Sequence, residues 1–178
     1  ATANASFPMR SKEEANDYRY FPDPDLPPML IDGPMMARVM QTLPTLPGPR
    51  FDRYREWGIA GDDARTLIGE RALSDYFEAA VAALPSVGCN AVAHAKAVGN
   101  WMLTTLLGAL NRDGKSIAES PLPATALAAI VGLIEGGTIS GKIAKDVFDE
   151  AYQTGAEPAA IVAAKGLVQI SNPAELLP

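Results

Sequence analysis

Residues 123–148 read PATALAAIVGLIEGGTISGKIAKDVF, and this stretch decides the fold class. Its first residue, a proline, suits the start of a helix, and Leu127, Ile130 and Ile134 then recur at helical spacing until a pair of glycines. Ser140 has the side chain of a helix N-cap, and the apolar residues after it again recur every three or four positions. The stretch therefore predicts two amphipathic helices joined by a glycine turn.

The same periodicity extends outward in both directions. A run that begins with Ser74 as N-cap and stops at Pro85 predicts one helix, and a second begins near Asn90 and ends within Asn111–Gly114. On the C-terminal side, a short last helix is predicted over 158–166. Helices packed on helices, an all-α fold, are therefore predicted after residue 50.

Prolines concentrate in the N-terminal part, where nine of the 15 lie within the first 49 residues. Because proline lacks an amide donor and disfavours helical angles in the residue before it, residues 20–49 cannot form one long helix. We expect a proline-rich extended or turning segment there, with a short strand and turn at Leu30–Gly33.

The best internal boundary is the break between Asn111 and Pro123, where polar, glycine and proline residues interrupt the helical pattern. We predict an N-terminal segment over 1–49, a helical bundle domain over 50–113 and a helical tail domain over 114–178. The residues after 171 are too few to finish a module, so the tail domain is expected to be incomplete.

The amino-acid composition argues against several classes of function. The 178 residues carry 15 Lys and Arg against 21 Asp and Glu, a net charge of −6, which argues against nucleic-acid binding by bulk charge but leaves room for a local basic site. The single cysteine, Cys89, excludes a disulfide framework and a four-cysteine zinc site. Neither a signal peptide nor a membrane-spanning apolar run is visible, so we expect a cytoplasmic protein.

The segment 140–145 is the best candidate for anion binding. The start of a helix exposes unpaired N–H groups and the positive end of the helix dipole, so Ser140 and Gly141 would present donors to an anion. A lysine at this end of a helix lowers helix stability by about 0.3–1 kcal/mol, so the placement of Lys142 and Lys145 makes sense if a phosphate binds there. The alternative is that both are solvated surface lysines balanced by the carboxylates that follow, which are Asp146, Asp149 and Glu150.

A second candidate lies between Met9 and Phe21, where cations alternate with aromatic rings. The cations would meet phosphates while the rings stack on bases. These residues are Arg10, Lys12, Tyr18, Arg19, Tyr20 and Phe21. Carboxylates in or after the stretch would alternatively offer oxygen ligands to Mg²⁺, namely Asp17, Asp23 and Asp25. A third interpretation is a loop whose aromatic residues pack on another domain.

Other residues favour structural roles. His94 lies in an alanine-rich helical stretch with no Ser, Cys or Asp arranged around it, which favours a partly buried structural histidine. Trp57 and Trp101 are predicted to be core anchors. Cys89 follows a glycine at a loop-to-helix junction, where a thiol pKa can be lowered, but it is interpreted as a small structural residue.

Residues 9–27, MRSKEEANDYRYFPDPDLP, closely resemble the signature of the B subunit of the aspartyl/glutamyl-tRNA amidotransferases. Later stretches are similar to the same family in the same order along the chain. They are Leu46-Pro47 with Arg50 and Arg53, Asp75–Glu78, Asn100-Trp101, 138–148 and 165–171.

The resemblance implies one member of a trimer, which works with an amidase (the A subunit) and a small third protein (the C subunit). In this family glutamine supplies ammonia, while ATP and Mg²⁺ activate the side-chain carboxylate of Glu-tRNA(Gln) or Asp-tRNA(Asn). Phosphorylation turns a carboxylate oxygen into a leaving group, which ammonia then displaces. The partners implied are the A and C subunits of the amidotransferase and tRNA(Gln) or tRNA(Asn), with neither a membrane nor DNA.

The resemblance also divides these tasks between regions. In this family the kinase and transamidase site lies in an N-terminal domain called the cradle domain. This chain would contain only the last part of that domain. The candidate residues at its edge are Arg10, Lys12, Tyr18, Arg19 and Tyr20. The helical domain and the YqeY-like tail domain would hold the tRNA body, with candidates Ser140, Gly141, Lys142 and Lys145.

Two expectations about activity follow from this division. We expect no catalytic residue, bound metal or ATP within this chain, and therefore no activity from the chain alone. The alternative function is a helical docking module that contacts the cradle or the amidase without touching tRNA.

Overall fold

The computed structural model describes residues 25–26, 28–84 and 91–167. The chain divides into two compact units, Ala1–Pro44 and Thr45–Pro178. The described residues of both units form helices, turns and loops without a strand, which confirms the all-α prediction.

The described part of the first unit contains one helix, α1 (Gly33–Thr42). The Asp32 side chain caps it by accepting a hydrogen bond of 2.8 Å from the Met35 amide. The strand and turn expected at Leu30–Gly33 is therefore wrong, and part of the expected extended segment is helical. Pro34 does not prevent this helix, because the first turn of a helix has no internal partner for the amide that proline lacks.

The second unit contains eight further helices among its described residues. They are α2 (Pro47–Glu56), α3 (Gly61–Ile68), α4 (Arg71–Ala83), α5 (Ala91–Trp101), α6 (Leu107–Arg112), α7 (Ala124–Glu135), α8 (Gly141–Thr154) and α9 (Pro158–Lys165). A π-helical turn over Met102–Leu106 joins α5 to α6 without a break, and a single 3₁₀ turn over Ile117–Glu119 precedes α7.

The helix ends in the second half follow local sequence chemistry. Helix α7 begins directly after Pro123, and the Ser140 side chain caps α8, as the sequence predicts. Gly155 and Gly166 end α8 and α9 with φ angles of 71° and 61°, a left-handed conformation that glycine adopts without strain.

Ser74 is not the N-cap of α4, and that prediction is wrong. The helix begins three residues earlier at Arg71, and Ser74 lies inside it with 1% of its surface exposed. Its hydroxyl donates a hydrogen bond of 2.9 Å to the carbonyl oxygen of Leu67 at the end of α3. The serine therefore satisfies a buried backbone group of a neighbouring helix, which a local capping rule does not anticipate.

Helices α4 and α7 pack against each other at the centre of the second unit, and α5 packs against both. Helix α3 lies against α4, while α8 and α9 cover α7 and each other. One hydrophobic core extends through these elements from Tyr54 to Val162. The Tyr76 hydroxyl also donates to the Leu122 carbonyl oxygen at 2.9 Å, just before α7. The predicted domain limits at 49/50 and 113/114 stay a prediction.

Candidate functional site

The N-terminus of α8 presents the four predicted anion-binding residues on one short stretch of surface. Ile139, only 1% exposed, anchors the turn before the helix in the core. The Ser140 hydroxyl accepts a hydrogen bond of 3.4 Å from the Ile143 amide. A Cβ added at Gly141 would have no other atom within 4 Å, so the backbone there is open to solvent. Lys142 and Lys145 both lie exposed in the first turn and a half. The structure therefore brings the four residues together at an accessible, capped helix end.

The carboxylates that could balance the two lysines do not pair with them. Glu150 instead forms an ion pair with Lys165 on α9. Within the described ranges, neither Lys142 nor Lys145 has a carboxylate oxygen within ion-pairing distance. Among the described residues, both ammonium groups therefore lack a carboxylate partner at the end of the helix where a cation is least favoured.

The described arginines differ from these lysines, because most of them are engaged inside the molecule. Each of the following has a carboxylate or carbonyl partner: Arg50, Arg53, Arg55, Arg65, Arg71 and Arg112. Across the described part of the chain, four lysines form no ion pair: Lys96, Lys115, Lys142 and Lys145. Two of these four lysines, Lys142 and Lys145, share the start of α8.

A charge cluster between α2 and α4 is the main feature that sequence reasoning did not assign. Arg50 pairs with Asp75, and its Nε lies 3.2 Å from a Glu78 carboxylate oxygen. The same Glu78 oxygen accepts from Arg53 and, at 2.7 Å, from the Tyr54 hydroxyl. A signal existed in the sequence, since the two arginines and the two acids are each spaced by three residues and so share one helix face.

Burial and charge set the ionisation within this cluster. Arg50 is 7% exposed. Burial alone would lower the pKa of Arg50, but the hydrogen bond with Asp75 and the charge of Glu78 raise it above its ordinary value. Burial and the hydrogen bond to Glu78 raise the pKa of Tyr54 to about 12. The tyrosine therefore stays a neutral donor, the guanidinium stays charged, and the cluster fastens α2 to α4.

We expect Asp75→Asn to flatten the acid dependence of stability. The hydrogen bond from Arg50, followed by the charges of Arg50 and Arg71, holds the pKa of Asp75 below its ordinary 3.8. A depressed folded-state pKa contributes stability above pH 3.8 that is lost as the pH falls through the lowered value.

Thermal unfolding of the wild type and the variant between neutral pH and about pH 2 checks this expectation. The two proteins should differ most at neutral pH and converge in acid. Asp113 and Glu119 also have lowered pKa values, but they titrate in both proteins and cancel in the difference. A constant offset at every pH would contradict the expectation.

The remaining single residues are buried or half-buried where they are described, and their structural roles stay predictions. His94 is 6% exposed, and its Nε2 lies 3.3 Å from a Glu135 carboxylate oxygen. Trp57 stacks with Tyr54 at a ring-centroid distance of 5.8 Å, and Trp101 lies 6.3 Å from Phe148. Both tryptophans are half-buried against the core.

Several candidates lie outside the described residues. They are Cys89 and the N-terminal group Arg10, Lys12, Asp17, Tyr18, Arg19, Tyr20, Phe21 and Asp23. Where residues are described, no three His, Cys, Asp or Glu side chains are grouped so that they could hold a metal ion. Over the same residues, every helix is too short or too polar to cross a membrane. The roles predicted for ATP and Mg²⁺ in the full-length protein stay predictions.

Comparison with known proteins places two family domains along the chain. A GatB domain matches residues 75–178, and a GatB/GatE catalytic domain matches residues 1–37. The chain is similar to the aspartyl/glutamyl-tRNA(Asn/Gln) amidotransferase B subunit of Geobacter sulfurreducens, with 48% identity over 92% of this chain and 33% of that protein. The same protein from Rhizobium leguminosarum bv. trifolii is 46% identical over 92% of this chain and 31% of its own length. The B subunit of Carboxydothermus hydrogenoformans is 46% identical to this chain, over 94% of this chain and 34% of its own length. The chain thus spans about a third of the length of these relatives.

Proposed function

Because this chain belongs to the family of aspartyl/glutamyl-tRNA(Asn/Gln) amidotransferase B subunits, we propose that it works within a tRNA-dependent amidotransferase and that its helical unit positions the tRNA. The proposed reaction of the whole enzyme is ATP- and Mg²⁺-dependent activation of a tRNA-bound Glu or Asp carboxylate, followed by amidation with ammonia from glutamine. The proposed protein partners are the A and C subunits of the same enzyme. The chemical step is assigned to the catalytic domain, of which residues 1–37 match a part.

The observation that carries the tRNA role is the pair of unpaired lysines at the start of α8. Phosphates dominate the affinity of proteins for nucleic acids, and each phosphate contact releases condensed counterions. Lys142 and Lys145 are exposed, lie one turn apart and have no carboxylate partner among the described residues. The Ser140 cap and the Gly141 backbone leave this helix end open to an approaching phosphate. A local site of this kind is compatible with a net charge of −6 because the interaction falls off within a Debye length.

We expect K142E/K145E to weaken binding of tRNA(Gln) to this chain at least about tenfold at low salt and to reduce the slope of log K against log salt by about 2. The reason is that two phosphate contacts are lost and two repulsive charges are introduced. Fluorescence anisotropy of labelled tRNA over a series of salt concentrations measures both quantities.

The matched control is R38E/R65E, which changes the net charge by the same amount from exposed positions on α1 and α3. Its salt slope should stay close to that of the wild type. Equal losses in the two double variants would mean that only bulk charge matters, which contradicts a site at α8. Retention of full binding by K142E/K145E would contradict it as well.

The second candidate function is protein docking without tRNA contact. It is favoured by one observation, the set of large apolar side chains that the structure leaves exposed between residues 26 and 46. Absence of tRNA binding at any salt concentration, by wild type and variants alike, would support this function over the first.

A further inference from the structure

A small cleft lies in the second unit, between α5 with its π-helical turn on one side and the start of α3 with the turn before it on the other. We call it the α3–α5 cleft. Its volume is about 260 Å³, below the range of about 300–1,000 Å³ that drug-sized ligands occupy. The polar side chains in its lining are Asp63, Lys96, Asn100 and Thr104. The cleft therefore has room for a small polar ligand.

Two opposite charges in this lining have no charged partner in the described part of the protein. Lys96 on α5 and Asp63 on α3 are both exposed. Over the described residues, neither side chain forms an ion pair with the other or with a third group. A single ligand that carries a negative and a positive charge could pair with both at once.

Close packing of the backbone gives the Lys96 side chain its place beside the cleft. Gly58 has a φ of 73°, and a Cβ added there would lie 2.5 Å from Cε and 3.0 Å from Nζ of Lys96. A larger residue at position 58 would therefore displace the ammonium group. On the facing helix, a Cβ added at Gly99 would lie 3.2 Å from Cδ1 of Ile59, so the missing side chain lets α5 pack closely against this turn.

The helix geometry is unusual at the same place. Met102–Leu106 forms the π-helical turn, and two of its residues, Leu103 and Thr104, line the cleft. Turns of this kind are rare and occur frequently at functional sites. Asn100 precedes the turn as an exposed residue inside a continuous helical segment, where asparagine is a poor helix former. Helix stability therefore does not explain its presence in the lining.

We propose that the α3–α5 cleft binds a free α-amino acid with a small, uncharged side chain. Its carboxylate pairs with Lys96, and its ammonium group pairs with Asp63. An α-amino acid carries both charges on one carbon atom, and charge-assisted hydrogen bonds are stronger than neutral ones. The Asn100 amide and the Thr104 hydroxyl offer hydrogen bonds to a polar side chain. This site lies apart from the residues proposed for tRNA at α8, and the proposal does not depend on tRNA binding.

The composition of the cleft argues against a nucleic acid as its ligand. A phosphate group would meet the negative charge of Asp63. Among the described residues that line the cleft, there is neither an aromatic ring nor an arginine on which a base could stack. An uncharged peptide segment would leave both charges of the cleft without a partner. One cation and one anion together favour a zwitterion.

A chemical-shift titration of the ¹⁵N-labelled chain tests the proposal. The probes are glycine, serine, asparagine and glutamine as free L-amino acids (glycine is achiral), added at constant pH and ionic strength. Each is taken to about 50 mM, because so small a ligand in an open cleft is expected to bind with a Kd of about 1 mM. At least one probe should shift the amide signals of residues 58–63 and 96–104 until they saturate.

Derivatives that lack one charge are the matched control ligands. The N-acetyl form of the binding amino acid has no ammonium charge, and its α-amide has no carboxylate. Each should bind at least about tenfold more weakly than the parent amino acid, because one charge-assisted contact is lost. This comparison uses the unaltered protein, so it holds even where a variant fails to fold.

Two variants identify which side chain holds which charge. Lys96→Met should bind the amino acid at least about fivefold more weakly and no longer prefer it to the α-amide, and Asp63→Asn should show the same loss with the N-acetyl form. The matched controls are Lys115→Met and Asp62→Asn, which remove the same charges from exposed positions outside the cleft. Their Kd values should change less than about twofold.

Each outcome decides the proposal. Saturating shifts at the cleft that are weakened in Lys96→Met and Asp63→Asn and kept in the controls support it. It is overturned if none of the four amino acids gives a saturating shift, or if both derivatives bind as tightly as the parent. Equal losses in the cleft variants and the controls would show that only bulk charge matters and would refute it too. Shifts of these amides with tRNA but with no amino acid would assign the cleft to nucleic acid, which also contradicts it.

Discussion

Phe77→Ala is expected to lower the free energy of unfolding by about 3–5 kcal/mol, because it removes a large side chain from the buried core and leaves a cavity. Phe77 is fully buried. Its ring packs edge-on against Tyr54 with a centroid distance of 4.9 Å, and it lies 6.1 Å from the ring of Trp57. Loss of the ring would loosen α2 from α4 and leave a cavity where three aromatic residues meet. Equilibrium unfolding in urea measures the change.

Phe77→Leu serves as the matched control for this prediction. Leucine retains much of the volume and all of the hydrophobic character, so its cost should be about 1–1.5 kcal/mol. A Phe77→Ala cost no larger than that of Phe77→Leu would mean that the cavity closes by rearrangement, and that α2 is not held by this aromatic cluster.

Glu78→Ala is expected to cost about 2–4 kcal/mol, because the carboxylate accepts hydrogen bonds from Arg53 and Tyr54 and forms an ion pair with Arg50. Its removal leaves the Tyr54 hydroxyl without its acceptor and leaves Arg50, whose side chain is 9% exposed, with Asp75 alone. The carboxylate itself is 26% exposed, so water recovers part of the loss. The same unfolding experiment measures the effect.

Two controls separate the buried cluster from ordinary surface charge. Glu78→Gln keeps an oxygen that can accept from Tyr54 and should cost less than Glu78→Ala. Asp62→Ala removes an ion pair with Arg65 whose side chains are 96% and 68% exposed, and it should change stability by no more than about 0.5 kcal/mol. Similar costs for Asp62→Ala and Glu78→Ala would contradict a structural role for the cluster.

These two predictions concern the attachment of α2 to the bundle. Along the chain, helix α2 lies between the segment that matches the catalytic domain and the helices that match the GatB domain. A variant that weakens the contacts between α2 and α4 should leave α8 in place, because that helix packs on α7 and α9.

Much of the fold could be predicted because its signals are local. Helix period, N-cap chemistry and glycine C-caps act within one or two turns, so the limits of α7, α8 and α9 followed from residues a few positions apart. The family resemblance that was drawn from residues 9–27 and later stretches is confirmed by the family matches and by relatives 46–48% identical to this chain. Whether Lys142 and Lys145 touch tRNA stays a prediction.

The errors arose where a contact with another helix, or the position of a residue within its helix, decided the outcome. Ser74 has a good local capping side chain, but the carbonyl oxygen of Leu67 captures its hydroxyl once α3 packs against α4. Proline counts predicted an extended segment over residues that include α1, because the count ignores that Pro34 stands in a first turn, where it is tolerated.

The sequence by itself determined the helical class, the ends of α7, α8 and α9, and the family, since periodicity and caps are properties of short stretches and the signature is a linear string. Only the tertiary structure decided which charges are neutralised and which apolar faces are covered. Arg50 and Arg53 meet acids about 25 positions away, while Lys142 and Lys145 meet none among the described residues, where large apolar side chains between residues 26 and 46 are exposed. The physical reason is that ion pairing and burial depend on distances in space, which are set when helices pack and not by spacing along the chain.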